Sequence, residues 1–333
     1  DEIEPGHRIP ELDLACDKPN QVGAALVGVA CYCPYVFRTC MCNAHRALCE
    51  RHAAPQVKLL SHSKSLFALA ERLAFALCDG LIIDCLPAVG DDPWFYRWSK
   101  RRRDEFLKSI ALQENCPDKV NGFVKFELAT KAGGEPPKRP RLIQCYRELA
   151  TQESFAREFY ALQKALFLRA FCEVYPGVTI TFASGMNPDD IGGWLTSALE
   201  RRAPASVYEC DCEAYDSTIS VEHMVMKRPL YDLLPGLSAH ALAAHNVTGY
   251  AGRGDASFRY NIVGTTKSGH NDTTLGNSII NALTKAVALV EAGLEGDIIV
   301  SGDDALVVIQ GNEWEVADLT KTERLLGLRP VAA

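Results

Sequence analysis

The sequence predicts an α+β fold, an antiparallel sheet with flanking helices, and three segments of its C-terminal half predict it. Residues 206–210 (SVYEC) alternate in polarity and read as a strand that runs into Asp211. Residues 272–292 carry apolar side chains at helical spacing behind an acidic, hydroxyl-rich start, the pattern of a capped helix. Residues 298–300 and 306–309 are β-branched runs separated only by Ser301-Gly302-Asp303-Asp304-Ala305, which predicts a hairpin.

The other elements follow in chain order. Residues 1–60 are irregular and rich in Cys and His. The uncharged stretch 22–37 falls short of the roughly 20 residues a membrane-spanning helix needs and contains Pro34. It reads as a buried segment, and no membrane segment is expected in this chain. Residues 65–78 form an amphipathic helix. Residues 91–108 place Trp94, Phe95, Tyr96 and Trp98 before Lys100, Arg101, Arg102 and Arg103. Such a stretch can stack on single-stranded template and hold phosphate, or serve as core aromatics beside a solvated helix face. Residues 133–140 (GGEPPKRP) are a loop, 148–172 a long helix, 249–264 a pair of short strands, and 313–326 a last helix.

The 333 residues correspond to about two domains at roughly 150 residues each. Hydrophobic residues at 47% and charged residues at 23% exclude a disordered, collagen-like or coiled-coil chain. The charge sum, 35 − 42 = −7, argues against a histone-like or coat-arm protein but leaves room for an enzyme with a local basic channel. The start, DEIEPGHRIP, is no secretory signal, and its first residue leads us to expect a fragment or processed product. Thirteen cysteines, about half of them before residue 50, therefore predict free thiols or a metal rather than disulfides.

Three polar signals follow one another: Asp211-x₄-Asp216 at a strand end, Ser268-Gly269-x₃-Thr273-x₃-Asn277 leading into a helix, and Gly302-Asp303-Asp304 at a hairpin tip. Each alone is weak; a strand-end cap or a solvated turn would explain it. The ordered set suits in-line nucleotide transfer, in which two Mg²⁺ ions about 4 Å apart stabilise the attacking 3′-oxygen and the leaving pyrophosphate. Mg²⁺ takes a few carboxylates plus substrate oxygens. Asp211 and Asp303 should then lie within about 10 Å of each other. Asp216, beyond the strand, is free to face the sugar, and Asn277 and Ser268 offer donors for sensing a ribose 2′-OH.

These segments resemble motifs A, B and C of the RNA-dependent RNA polymerases of positive-strand RNA viruses, tombusvirus- or nodavirus-like in flavour. Lys125-x-Glu127, followed after a loop by Lys138-Arg139-Pro140-Arg141, is similar to their motif F. The resemblance runs from about residue 123 to 327 and includes Ser184-Gly185-Met186 before a Trp194 helix. It implies a right-hand polymerase with palm and fingers and with the thumb absent. The implied organisation is an N-terminal Cys/His-rich and fingers region (1–122), fingers with the basic loop (123–205), and palm (206–333) with a fingers insert near 240–267.

The resemblance also implies roles. Asp211, Asp303 and Asp304 would be catalytic and bind two Mg²⁺ or Mn²⁺ ions. Asp216, Asn277, Ser268 and Thr273 would select ribose. Lys125, Lys138, Arg139 and Arg141 would bind the NTP, because a cationic loop clamps phosphate. Lys321 and Arg329 fit the family's motif D lysine poorly. The partners implied are template and nascent RNA, NTPs and other viral replication proteins, in the host cytoplasm at replication complexes. A reverse transcriptase is the first alternative, disfavoured by Gly302 before Asp-Asp and by Asn277. A non-catalytic zinc- and RNA-binding module is the second. For it, Cys31, Cys33, Cys40, Cys42, His45, Cys49 and His52 offer Zn²⁺ ligands, with buried free thiols as the competing reading.

Overall fold

Strand-forming runs collect, among the described residues, into a six-stranded and a four-stranded sheet, each with its own core, and a separate two-stranded pair. The computed structural model describes residues 8–12, 20–22, 35–53, 61–84, 86, 95–112, 116–126, 139–169, 171–253, 256–311 and 316–331. In chain order the elements begin with β1 (Asn20–Val22), β2 (Tyr35–Phe37), α1 (Met41–Ala47), α2 (Ser61–Cys78), α3 (Lys100–Ala111), β3 (Lys119–Val124), β4 (Leu142–Tyr146) and α4 (Leu149–Phe167). There follow β5 (Cys172–Tyr175), β6 (Val178–Phe182), α5 (Pro188–Arg201), β7 (Ala205–Cys212), α6 (Tyr215–Thr218), α7 (Met224–Tyr231) and α8 (Leu237–Ala243). The last are β8 (Asn246–Arg253), β9 (Ala256–Val263), α9 (Asp272–Ala292), β10 (Gly296–Ser301), β11 (Asp304–Gln310), α10 (Val316–Leu325) and β12 (Pro330–Val331).

The six-stranded sheet has the order β12-β7-β11-β10-β6-β5. It corrects the expectation of an antiparallel sheet, because β6 and β10 run parallel. The helix α5, capped by Asn187 with Pro188 in its first turn, is one of the elements between them. On one face of this sheet lies α9, buried from Leu275 to Leu289, and α2 and α10 pack against α9 in turn. Each fully buried Ile or Leu of that helix contributes about 1.5–3 kcal/mol. Gly293, with φ +67°, ends α9 in the left-handed conformation that glycine adopts without strain.

The four-stranded sheet has the order β4-β3-β8-β9 and its own core, which includes Phe37, Leu48, Val124, Leu142, Phe258 and Tyr260. Its strands come from two distant parts of the chain, 119–146 and 246–263, the second of them within the fingers insert expected near 240–267. The boundary at 122 falls inside β3, and β5 and β6 of the expected fingers segment belong to the large sheet. The helix expected over 148–172 ends at Phe167, because the alternating segment Cys172–Tyr175 pairs with β6 instead. Residues 249–264 do form two strands, both longer than expected.

The aromatic-basic stretch packs on itself. Phe95 is buried, Trp98 meets Phe106 edge-on at 5.5 Å, and the Arg102 and Arg103 guanidinium groups lie over Trp98 and Tyr96. Arg101 pairs with Glu105 at 2.8 Å. Trp94 lies outside the described residues.

Candidate active site

The strand β7 alternates along its length. Tyr208, Cys210 and Cys212 face the core, and Val207, Glu209 and Asp211 face outward. Asp211 therefore leaves the sheet on its exposed face. Beside it, β10 and β11 are joined by the two-residue turn Gly302-Asp303, closed by the pair Ser301↔Asp304. Gly302 has φ +66°, which a two-residue hairpin turn demands of its first central residue. This turn accounts for Gly302 in the Gly-Asp-Asp run.

The β11–β7 ladder pairs Ala305 with Cys210. One step further along the same register sets Asp304 opposite Asp211. Opposed Cα atoms of an antiparallel pair lie about 4.5–5.5 Å apart, so Asp303, the next residue, is within about 10 Å of Asp211. Burial raises the Asp304 carboxyl pKa above its ordinary value, and the charges of Asp303, Asp211 and Glu209 raise it further. This is a pile-up of hard oxygen donors that a divalent cation relieves, and the donor chemistry suits Mg²⁺ or Mn²⁺. Among the described residues, no three His, Cys, Asp or Glu side chains are already gathered as a ready-made metal cluster.

Asp216 sits in α6, directly after Ala214 turns the chain through φ +51°. Its carboxylate is buried and doubly held. Asn277 Nδ2 donates to Oδ1 at 2.9 Å, and Ser268 Oγ donates to Oδ2. Thr266 Oγ1 donates to Asn277 Oδ1 at 2.9 Å, and the Thr266 N–H donates to the Asp216 carbonyl at 2.8 Å. The structure thus brings Asp216, Ser268 and Asn277 together and adds Thr266. Thr273 is placed differently: its hydroxyl donates to the Lys267 and His270 carbonyls and closes the loop from below.

That loop is braced on both sides. The Ser268 carbonyl accepts the Gln144 N–H of β4 at 2.6 Å. Gly269 lies so close that a Cβ there would meet Cys145 and Ile143 side-chain atoms at 2.9 Å. Lys267 is buried and donates to the carbonyls of His245 and Thr265 at 2.8 and 3.1 Å, and to that of Gly264. Burial, with help from Lys227, pushes its pKa well down.

The basic residues emerge where β3 and β4 end. The Lys125 N–H donates to the Arg141 carbonyl at 2.8 Å, so the two residues are neighbours. Arg139 is exposed, and its Nη1 donates to the Glu50 carbonyl at 3.0 Å. Lys138 lies outside the described residues.

The cysteine-histidine cluster is divided. Cys31 and Cys33 lie outside the described residues. Cys40 and Cys42 are in Sγ–Sγ contact at 2.7 Å, and Cys49 Sγ lies 3.8 Å from His45 Nε2. That nitrogen is also 2.9 Å from the Pro10 carbonyl. His52 is buried beside β4; its Nε2 accepts the Leu142 N–H at 3.1 Å, which braces the strand after the basic loop, and its Nδ1 is buried without a hydrogen-bond partner.

Sequence reasoning missed one further set, on α9. Ser278 Oγ accepts the Gly302 N–H at 2.8 Å, and Asn281 Nδ2 donates to the Asp303 carbonyl at 2.9 Å. Lys285 Nζ pairs with Glu323 of α10 at 2.5 Å. The available signal was the run of polar residues at 277, 278, 281, 284 and 285 within the apolar middle of the helix, a spacing that keeps one face.

A hairpin-borne aspartate pair beside a strand-end aspartate, with a buried carboxylate-amide pair alongside, offers carboxylates of the kind that hold divalent cations. The family model described as viral RNA-dependent RNA polymerase matches residues 117–326, more than half of the chain, and the chain belongs to that family. It is 24% identical over 226 residues to an RNA-directed RNA polymerase of Groundnut rosette virus (strain MC1), covering 66% of this chain and 26% of the relative. It is 26% identical over 231 residues to an RNA-directed RNA polymerase of Panicum mosaic virus (strain United States/Kansas 109S), covering 68% and 22%. The chain thus spans about a quarter of the length of these relatives.

Proposed function

We propose that this chain forms the palm and fingers of an enzyme that adds NTPs to an RNA 3′-OH under the direction of an RNA template. The observation that carries this reading is the pairing of β7 with β11 up to Cys210 and Ala305, each one residue short of Asp211 and Asp304. Asp211 and Asp303, with Asp304 in support, would hold two Mg²⁺ or Mn²⁺ ions. When bound, these supply the positive charge that offsets the negative charge of the transferring phosphoryl group. Asp216, fixed by Asn277 and Ser268, offers a pre-oriented carboxylate to a ribose 2′-OH. Lys125, Lys138, Arg139 and Arg141 would bind the triphosphate, Arg141 through its planar fork.

The test is template-directed incorporation of labelled NTP into RNA by protein carrying this chain. Asp303→Asn should lower incorporation about 10²–10³-fold, the equivalent of several kcal/mol of lost charge stabilisation. Incorporation unchanged by Asp303→Asn would sink the reading. Preference for dNTPs would favour a reverse transcriptase.

A further inference from the structure

We infer that Asn281 and Ser278 are positioning residues that set the Gly302-Asp303 turn for metal binding, an inference that rests on the polymerase reading of that turn. Both stand on α9, and together they hold the turn's backbone from beneath. The Gly302 N–H donates to Ser278 Oγ at 2.8 Å, and that hydroxyl donates in turn to the Thr274 carbonyl at 2.8 Å. With its hydrogen committed to the helix, Ser278 presents only an acceptor to the turn. Asn281 Nδ2 donates to the Asp303 carbonyl at 2.9 Å and to the Gly302 carbonyl at 3.3 Å.

The choice of Asn at 281 is specific. Two carbonyl oxygens face the side chain, so only a group with two N–H donors satisfies both. The other amide atom, Oδ1, is buried without a hydrogen-bond partner, so the residue keeps its donors at the expense of one unmet acceptor. A buried acceptor left unmet is destabilising. Tolerating that cost makes sense where the position of the turn matters. One turn earlier on the same face, Asn277 holds Asp216. The sugar-facing and metal-facing carboxylates are therefore referenced to one rigid helix, and misplacement of about 1 Å is enough to cost such a site 10²-fold.

The experiment measures Mn²⁺ binding to the chain itself, from the electron paramagnetic resonance signal of the free ion. The variants are Asn281→Leu, Ser278→Ala, Asp303→Asn and, as a control, Thr151→Ala. Leucine keeps the number and branching of the heavy atoms of Asn281, removes its donors and adds no charge. Thr151 is a buried hydroxyl elsewhere in the core that accepts the Cys116 N–H at 2.8 Å. Circular dichroism and thermal unfolding accompany each titration. Asn281→Leu should weaken Mn²⁺ binding about tenfold, as loss of a group that orients a metal ligand does. Ser278→Ala should weaken it in the same direction. Thr151→Ala should lower the melting temperature without moving Mn²⁺ affinity.

If wild type binds Mn²⁺ and Asp303→Asn does not, while folded Asn281→Leu and Ser278→Ala bind as wild type, the positioning role is overturned. Should Asn281→Leu fail to fold, Ser278→Ala decides alone, since it deletes one oxygen. If Asp303→Asn binds as wild type does, or wild type does not bind, the metal-site reading itself has failed. The two failures are thus distinguishable.

Discussion

Asp216 shows what a single buried carboxylate needs. Asn277 and Ser268 each donate to one of its oxygens, which fixes the carboxylate and leaves acceptor sites for a sugar hydroxyl. Asn277→Asp would set a second carboxylate 2.9 Å from the first and remove the donor. We expect it to lower discrimination between NTP and dNTP, read as the ratio of kcat/KM, by about tenfold, or about 1.4 kcal/mol. An unchanged ratio would remove Asn277 from sugar selection. Arg141 stands where the basic loop rejoins β4. Arg141→Ala should raise the KM for NTP with template binding nearly intact, and Arg141→Lys should restore only part, because lysine lacks the bidentate fork. Kinetics equal to wild type would return this run to a solvated turn. The spacing of Asp211, Asp216, Ser268, Asn277 and Asp303 was legible because those residues carry chemistry that few other arrangements require. Thr266 was not, because its role comes from a loop that only the tertiary fold brings against α6.

At the scale of elements, α9 does the organising. The same helix face meets Asp216, the Gly302-Asp303 turn and Glu323 of α10. Burial alone would lower the Lys285 pKa, but the Cys210 thiol, the Glu323 carboxylate and the Cys212 thiol outweigh it and raise it. Lys285→Met would leave Glu323 buried and unpaired, at a cost of about 3–5 kcal/mol in chemical unfolding. Adding Glu323→Leu should recover most of that loss, since an apolar pair of similar size needs no charge partner. A double variant as unstable as the single would show that the pair itself, not the stranded charge, provides the stability. Helical spacing made α9 legible in the sequence to its last residue. The parallel pairing of β6 with β10 was not legible, because strand patterns specify faces and leave the neighbour unspecified.

For the whole molecule, buried histidines dominate the response to acid. Burial lowers His52 and His223 to about 3 and His240 to about 4, and it holds His245 and His270 well below their usual value. Neighbouring cations add to the effect at His52, His223, His245 and His270. These groups stay neutral when folded but take up a proton near pH 6.5 when unfolded. Stability is therefore full above about pH 6.5 and is lost as pH falls from there toward the folded values. Between pH 7.5 and 5.5 each should cost about 1.4 kcal/mol, several kcal/mol in all, seen as a large drop in urea midpoint. A flat midpoint over that range would mean the histidines are accessible to protons in the folded state. That response could not be read from the sequence, which gives eight histidines and no burial. Nor could the place of β5 and β6, which join the large sheet with β10.

In the proposed function, Asp211 and Asp303 hold divalent cations. Anomalous diffraction from crystals soaked in Mn²⁺ and an NTP tests it most directly. The account predicts Mn²⁺ peaks at coordination distance, about 2.0–2.2 Å, from carboxylate oxygens of both Asp211 and Asp303, bridged by triphosphate oxygens. Peaks only at other carboxylates, or carboxylates of Asp211 and Asp303 that remain apart with nucleotide bound elsewhere, would contradict it.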